Sequence, residues 1–315
     1  MQKYLNISHG TRYARLKIFA YYVQRIITSR TVRRIAMRAT AIHLRLLNGK
    51  DKYSERKSAS TDALREKGYL LFDKLLSSSQ CKEILAYLRD KPVFASRESG
   101  QHFVKDNPPE NIAIGDYELE CVVNCPHVME IANHPAMLTL AANYLGYTPT
   151  ITTMGIRWSF PTKNNDADVQ AFHRDSEMGS IKLMVYLTDV DADSGPHVYV
   201  EGTHLDRMPV RLHRHSDLEV TREHGGGVSI TGPAGTAFAI DTKGIHKGTP
   251  PISRARLLLG IQYSLLPCLI YDYEPVAYRG EVLYDHYINR LMVNNERIQP
   301  VVQEMRPEKI PVLRR

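Results

Sequence analysis

The chain has 315 residues, of which 43% are hydrophobic and 24% charged, and these near-average values exclude a disordered or collagen-like protein. Its four cysteines are too few for a disulfide framework and indicate a reducing compartment. The net charge of +7 is unevenly distributed, because residues 1–60 carry 14 Lys and Arg against Asp51 and Glu55, while the remaining residues carry 27 basic against 32 acidic side chains.

The N-terminal segment combines this basic charge with apolar residues spaced by three, four and seven positions between residues 12 and 47. Such spacing predicts helices with an apolar stripe, and Thr28 and Ser29 mark a break and an N-cap between two of them. The charge predicts an anionic partner: a membrane, a nucleic acid or an acidic protein. The acidic balance of the rest of the chain disfavours nucleic acid in a binding cavity.

Three interpretations of residues 1–50 are open. They form a helical extension packed on the body with solvated arginines, or a helix lying on an anionic membrane, or a mitochondrial transit peptide. The lack of acids before Asp51 suits a transit peptide, whereas the tyrosines and the length of the segment disfavour it. No apolar run reaches the roughly 18 to 20 residues of a transmembrane span, so we expect a cytoplasmic protein, free or peripherally attached to a membrane.

The body begins near Thr61, after a polar linker at residues 50–60. Helical spacing predicts helices at residues 61–67, 80–89 and 135–145, and glycine ends the first and the last of them. Residues 69–72 predict a strand. We expect residues 96–116 and 205–227 to form variable loops that contact the substrate.

From residue 148 onward, short β-rich runs alternate with clusters of Gly, Pro, Asn and Asp. The predicted strands are residues 150–160, 181–187, 198–200, 228–231, 236–240 and 256–265. Many short strands with such turns predict a sandwich, a barrel or a jelly roll.

The candidate chemistry lies in this β-rich region. His173 and Asp175 are two positions apart, so on a strand they point the same way and can share one metal ion. His246 follows a predicted strand and can meet them from a facing strand. Two histidines and one carboxylate on one side of an octahedron are the ligand set of non-haem Fe(II) oxygenases. Arg256, at the start of the last predicted strand, can bind a carboxylate through two hydrogen bonds.

Five segments of the body carry a family resemblance. They are EKGYLLF (66–72), FHRD (172–175), LTDVDADSGP (187–196), VEGTH (200–204), and HKGTPP (246–251) with Arg256. These segments resemble the phytanoyl-CoA dioxygenase family, and the resemblance extends over residues 61–266. It implies a mainly β protein with flanking helices, whose double-stranded β-helix (a cupin-like jelly roll) binds Fe(II), with 2-oxoglutarate and O₂ as co-substrates.

The resemblance also implies roles for single residues. His173, Asp175 and His246 would be the iron ligands, and Arg256 would bind the distal carboxylate of 2-oxoglutarate. Arg254 competes for the latter role, and Arg256 is preferred because it directly precedes the apolar strand.

Other positions near the expected cavity rim are less specific. Gln170, Trp158 and Thr249 are candidate contacts for 2-oxoglutarate or substrate, and each is equally a candidate packing residue. The chain departs from the family at Met184, where a Trp is common, and at Arg174, where a Gln is common. Because the carboxylate ligand is retained, the resemblance favours hydroxylation over halogenation.

We therefore expect a dioxygenase that hydroxylates an unactivated C–H bond of a small-molecule or lipid-like substrate and releases succinate and CO₂. The alternative is a non-catalytic jelly-roll scaffold whose cationic arm binds an anionic membrane or nucleic acid. The expected organisation is a basic helical extension and linker (1–60), the oxygenase domain with its N-terminal helices (61–300) and a basic tail (301–315).

Five further histidines are interpreted as surface residues, because no carboxylate or thiol accompanies them at zinc-binding spacing. They are His197, His204, His213, His215 and His224. His204 is expected in a turn near the cavity mouth. Cys121 and Cys125 with His127 lack a second paired motif, which disfavours a zinc site there.

Overall fold

This computed structural model describes residues 3–4, 12–54, 58–73, 75–95, 101–110, 112–162, 171–206, 214–269 and 271–294. Its helices are α1 (Arg12–Ile26), α2 (Arg30–Asn48), α3 (Ala59–Lys67), α4 (Ser78–Leu88), α5 (Leu119–Val123), α6 (Val128–Ala132), α7 (Pro135–Leu145), α8 (Asp217–His224) and α9 (His286–Asn289). Its strands are β1 (Lys3–Tyr4), β2 (Tyr69–Phe72), β3 (Val93–Ala95), β4 (His102–Phe103), β5 (Ile114–Asp116), β6 (Thr150–Ser159), β7 (Ser180–Tyr186), β8 (His197–Tyr199), β9 (Val228–Ile230), β10 (Ala237–Ile240), β11 (His246–Gly248), β12 (Arg256–Ser264) and β13 (Tyr271–Asp272).

Two antiparallel sheets form the body. The larger has the strand order β2-β10-β7-β12-β6-β5-β3-β4, and the smaller has the order β11-β8-β9. An isolated bridge between His173 and His246 adds the segment before β7 to the edge of the smaller sheet. From β6 to β12 the chain passes back and forth between the two sheets, which is the topology of a jelly roll. The predicted fold class, a mainly β jelly roll with flanking helices, is confirmed.

The period-two alternation of the central strands separates an apolar core from a more polar interior. On β12, Leu257, Leu259 and Ile261 are fully buried in the core that the helices cover. Arg256 and Gln262, on the opposite face of the same strand, are also buried, with exposed fractions of 6% and 4%. The interior of the jelly roll therefore contains buried polar groups, which require partners there.

The basic arm consists of two helices, as the sequence predicts. They break at residues 27–29, where the Ser29 hydroxyl accepts a hydrogen bond from the Val32 amide and caps α2. One face of α2 packs on the body. Arg33 is 3% exposed and donates from Nε to the Ile27 carbonyl at 2.6 Å and from Nη1 to the Ser176 carbonyl at 2.8 Å. Ala41 joins a small apolar cluster with residues of α7 and of the chain after β12.

The predicted apolar stripe of α2 lies on its other side and faces outward. All of its members are exposed: Val32 (48%), Ile35 (62%), Ile42 (59%) and Leu46 (79%). On α1 the outward apolar residues are Phe19 (66%), Tyr22 (50%) and Ile26 (77%). The arm is thus attached to the body and still presents an apolar surface. Within the described residues, no helix combines the length and the apolar character needed to cross a bilayer.

Two of the predicted loops contain regular structure, so those predictions were wrong in part. The segment 96–116 includes β4 and β5, which extend the larger sheet. These strands are too short for a periodic signal, and β5 pairs with both β3 and β6. The segment 205–227 includes α8, whose start is fixed by a capping box between Ser216 and Glu219. The predicted tail 301–315 lies outside the described residues.

Candidate active site

Two histidines lie side by side where the smaller sheet begins. The backbones of His173 and His246 exchange two hydrogen bonds of 2.9 Å, and their ring centroids are 4.5 Å apart. Each Nδ1 contacts a backbone carbonyl two residues earlier, Ala171 at 2.8 Å and Gly244 at 3.0 Å. Because a carbonyl oxygen only accepts, each Nδ1 carries the proton, which leaves the lone pair of each neutral Nε2 for a metal ion.

The carboxylate of Asp175 completes the group. The Asp175 amide donates to the Thr242 carbonyl at 2.8 Å, which holds the residue beside the loop that leads to β11. Its Oδ1 lies 3.8 Å from Nε2 of His173, and its Oδ2 accepts a hydrogen bond of 2.6 Å from Nζ of Lys182 on β7. His173, Asp175 and His246 each offer one possible ligand atom, and these three atoms lie within 4.8 Å of one another.

The electrostatics of this group suit a divalent cation. Burial lowers the pKa of His173, and burial together with the neighbouring His173 lowers the pKa of His246 to about 4. Burial alone would raise the pKa of Asp175, but the charge of Lys182 and the two imidazoles lower it overall, well below its usual range. At neutral pH the site therefore offers two neutral imidazoles and one carboxylate, the protonation state in which these groups bind a metal.

Arg256 supplies a candidate anion site inside the same jelly roll. Its Nη2 donates to the Ser159 hydroxyl at 3.2 Å across the β12–β6 pair. Its Nε and Nη1 are buried and have no hydrogen-bond partner. Unpaired buried donors on a charged group are costly, and a carboxylate bound along one edge of the guanidinium would supply a partner. The residues present thus fit both iron and a dicarboxylate co-substrate.

The remaining predicted residues are placed differently. Arg254 is exposed and pairs with Asp191, so it does not enter the interior. The side chain of Trp158 faces the outer core and donates from Nε1 to the Tyr117 hydroxyl at 3.1 Å, because only every second residue of β6 faces the interior; this favours the packing alternative. The amide of Thr249 donates to the Pro196 carbonyl at 3.0 Å, and Gln170 lies outside the described residues.

Half-buried Lys182 and buried His197 belong to the site and were not predicted from the sequence. The interpretation of His197 as a surface residue was wrong, because it is 4% exposed and stacks on His246 with ring centroids 5.5 Å apart. Lys182 lies at an interior-facing position of the predicted strand 181–187, and His197 lies one residue before the predicted strand 198–200. Alternation along β7 and β8 was the signal that could have identified them.

The other histidines have mixed environments. His204 is in the predicted turn, a short 3₁₀ segment at Thr203–Leu205, but it is buried and its Nε2 contacts the Arg65 carbonyl at 2.9 Å, so its interpretation as a surface residue was wrong. His224 is exposed and His215 is half-buried, whereas His213 lies outside the described residues.

Arg174 has a structural role on the far side of the ligand segment. It donates from Nη1 to the Thr203 carbonyl at 2.5 Å and to the Lys243 carbonyl at 2.8 Å, and its Nη2 pairs with Asp206 at 2.5 Å. These contacts tie the segment between the two candidate ligands to the loops around it.

Comparison with solved structures finds similar folds at low sequence identity. HygX from Streptomyces hygroscopicus, with nickel and 2-oxoglutarate bound, is 13% identical, covers 76% of this chain and 100% of its own, and has a TM-score of 0.48. EctD from S. alaskensis, in its apo form, is 16% identical, covers 77% of this chain and 90% of its own, and has a TM-score of 0.47. The non-haem alpha-ketoglutarate-dependent carbocyclase SnoK from nogalamycin biosynthesis is 17% identical, covers 69% of this chain and 87% of its own, and has a TM-score of 0.45.

A comparison with curated proteins finds no match. The family model described as phytanoyl-CoA dioxygenase (PhyH) matches residues 64–256, which is more than half of the chain. The matched region contains the three candidate metal ligands and ends on Arg256. The chain therefore belongs to the phytanoyl-CoA dioxygenase family and is a 2-oxoglutarate-dependent dioxygenase that uses Fe(II) and O₂.

Proposed function

We propose that the chain hydroxylates an unactivated C–H bond of a small-molecule or lipid-like substrate. In this proposal His173, Asp175 and His246 hold the iron, and Arg256 binds the distal carboxylate of 2-oxoglutarate. The observation that carries the proposal is the convergence of these three side chains inside the same jelly roll that buries the two unpaired donors of Arg256.

The residues of the chain have separate roles in this reaction: binding iron, orienting its carboxylate ligand and binding the co-substrate. Bound Fe(II) and 2-oxoglutarate supply the oxidation: one atom of O₂ enters the substrate, the other enters succinate, and CO₂ is released. The two imidazoles stay neutral and bind through Nε2, since Nδ1 of each is held by a carbonyl. Lys182 holds Oδ2 of Asp175 at 2.6 Å and so orients Oδ1 toward the imidazoles. Burial of Arg256 excludes water from its ion pair with the co-substrate, which strengthens the pair.

The reaction is tested by supplying the purified chain with Fe(II), 2-oxoglutarate, O₂ and a metabolite extract. We expect succinate to form in proportion to a product one oxygen atom heavier than its precursor, because decarboxylation is coupled to hydroxylation. Mass spectrometry of the extract, with and without 2-oxoglutarate, identifies the substrate. A product two hydrogen atoms lighter, or an isomer of equal mass, would contradict hydroxylation and favour desaturation or epimerisation by the same site.

We also propose that the arm docks the enzyme on an anionic membrane. The support is the combination of an outward apolar stripe on α2 with exposed basic residues and no acid before Asp51. At 100° per residue, Arg34 and Arg38 lie between the stripe and the face that contacts the body. That order places apolar side chains in the lipid and guanidinium groups at the headgroups.

We propose the same division of the chain into three segments that the sequence predicts. Residues 1–60 are the docking extension, residues 61–300 the oxygenase domain and residues 301–315 a basic tail. A cytoplasmic membrane surface is the proposed location, and the free thiols of Cys81, Cys121, Cys125 and Cys268 support a reducing compartment.

The docking face is tested by the double variant Ile35→Glu/Ile42→Glu. These side chains are 62% and 59% exposed, so the change spares the body contact of α2. We expect co-sedimentation with vesicles containing phosphatidylserine to weaken by at least about 10-fold, because two apolar anchors become like charges to the lipid.

The matched control is Leu218→Glu/Leu283→Glu, at two exposed positions outside the arm (78% and 72%), which should sediment as the wild type does. Wild-type protein that binds neutral and anionic vesicles equally, or a double variant that sediments unchanged, would rule out the proposed docking face.

A further inference from the structure

A third imidazole, which is buried, lies in the candidate site and has no role in the reaction described above. His197 begins β8 and is 4% exposed. Its ring stacks on His246 with centroids 5.5 Å apart and an interplanar angle of 28°, and Phe238 lies 5.4 Å from it. The ring is thus fixed between a candidate iron ligand and the apolar wall of the jelly roll.

His197 is also a neighbour of Arg256. In the β8–β11 pair, His197 lies opposite Gly248. A Cβ atom built on Gly248 would stand 3.1 Å from Nη2 of Arg256, so the guanidinium lies directly against this glycine. The absence of a side chain at Gly248 leaves His197 and Arg256 on adjoining sides of one space.

Both residues have unsatisfied polar atoms in this space. Nε2 of His197, like Nε and Nη1 of Arg256, is buried without a hydrogen-bond partner. Buried polar groups are normally hydrogen-bonded, so unpaired atoms on these two neighbouring residues indicate a ligand with acceptor oxygens. His197 does not belong to the group of side chains that converge as metal ligands, so iron does not account for its free nitrogen.

His197 can donate a hydrogen bond to an anion while its own ring stays uncharged. Burial, His246 and Arg256 together lower the pKa of His197 well below its usual range. A neutral imidazole has one N–H donor, and it leaves Arg256 as the charged partner of the ligand.

We propose that His197 donates a hydrogen bond from Nε2 to the distal carboxylate of 2-oxoglutarate and, together with Arg256, selects a keto acid that ends in a carboxylate. This inference rests on the proposed binding of 2-oxoglutarate at Arg256. It makes His197 a specificity-determining residue for the co-substrate. The donor and the guanidinium would contact the same carboxylate from two strands, β8 and β12.

Calorimetric titration of the anaerobic Fe(II)-loaded protein tests the proposal. Two ligands are compared: 2-oxoglutarate and 2-oxovalerate, which has the same number of carbon atoms and lacks the distal carboxylate. We expect His197→Leu to weaken 2-oxoglutarate by about 10- to 100-fold, the effect of one hydrogen bond to a charged group. The affinity for 2-oxovalerate should stay unchanged, because that ligand offers no acceptor at this position.

His204→Leu is the matched control, since it removes another buried histidine, one whose Nε2 contacts the Arg65 carbonyl; it should leave the affinity for both ligands unchanged. Equal weakening of both keto acids by His197→Leu would assign His197 to packing and overturn the proposal, as would unchanged binding of 2-oxoglutarate. If the wild type itself binds no 2-oxoglutarate, the proposed function fails with it. If Arg256→Leu leaves the affinity for 2-oxoglutarate unchanged, the proposed role of Arg256 fails, and the contact it shares with His197 is overturned with it.

Discussion

Replacing Arg256 by leucine will weaken 2-oxoglutarate binding by more than about 100-fold, while Arg254→Leu will leave it unchanged. Arg256 is 6% exposed and has buried donors without partners, and one edge of a guanidinium binds the two oxygens of a carboxylate through two hydrogen bonds. Each hydrogen bond to a charged group contributes about 1.5–3 kcal/mol. Loss of two of them corresponds to roughly 3–6 kcal/mol, or more than about 100-fold in the dissociation constant.

The neighbouring arginine makes this a controlled comparison. Arg254 has the same side chain two residues earlier, but it is 58% exposed and pairs with Asp191. The measurement is the dissociation constant of 2-oxoglutarate in the anaerobic Fe(II)-loaded protein, with the melting temperature of each variant as a check on folding. Equal weakening in both variants, or a loss only in Arg254→Leu, would contradict the role assigned to Arg256.

Some positions of the candidate site could be predicted from the sequence and others could not. The spacing of His173 and Asp175 is local, and period two is enough to place both side chains on one face. The position of His246 beside them depends on the bridge between two segments 73 residues apart in the chain, which only topology or family resemblance could indicate. Of the two arginines, Arg256 enters the interior because its strand pairs with Ser159, and that register is not visible in the sequence.

Two site residues were not predicted from the sequence, for the same physical reason. Lys182 and His197 are polar residues on short strands, where composition favours a surface position. His197 is buried and Lys182 half-buried because the jelly roll encloses one face of each strand. The same holds for Arg33 of the arm, whose partners are the backbone carbonyls of Ile27 and Ser176. Backbone carbonyls have no sequence signature, so helical spacing alone left the side of α2 that meets the body undetermined.

Removing the acidic ligand candidate should have the largest effect on catalysis. We expect Asp175→Ala to reduce the formation of succinate from 2-oxoglutarate by well over about 100-fold. Loss of a group that only supports a metal ligand lowers metal affinity or activity by about 10- to 100-fold. Here the proposed ligand itself is lost. The measurements are succinate formed per enzyme and bound iron after dialysis, with the exposed Asp193→Ala as the matched control that should retain both.

Asp175→Ala also leaves Lys182 with no acid at 2.6 Å. An unpaired, half-buried ammonium destabilises the fold, by less than the roughly 3–5 kcal/mol of a broken fully buried pair. The double variant Asp175→Ala/Lys182→Met removes both charges and separates stability from catalysis. If Asp175 is a metal ligand, the double variant regains the free energy of unfolding that the single variant loses, whereas iron binding and succinate formation stay absent. If turnover returns together with stability, Asp175 serves only to neutralise Lys182, and the proposed three-residue iron site is wrong. A wild type as inactive as both variants would instead favour a non-catalytic jelly roll whose working part is the basic arm.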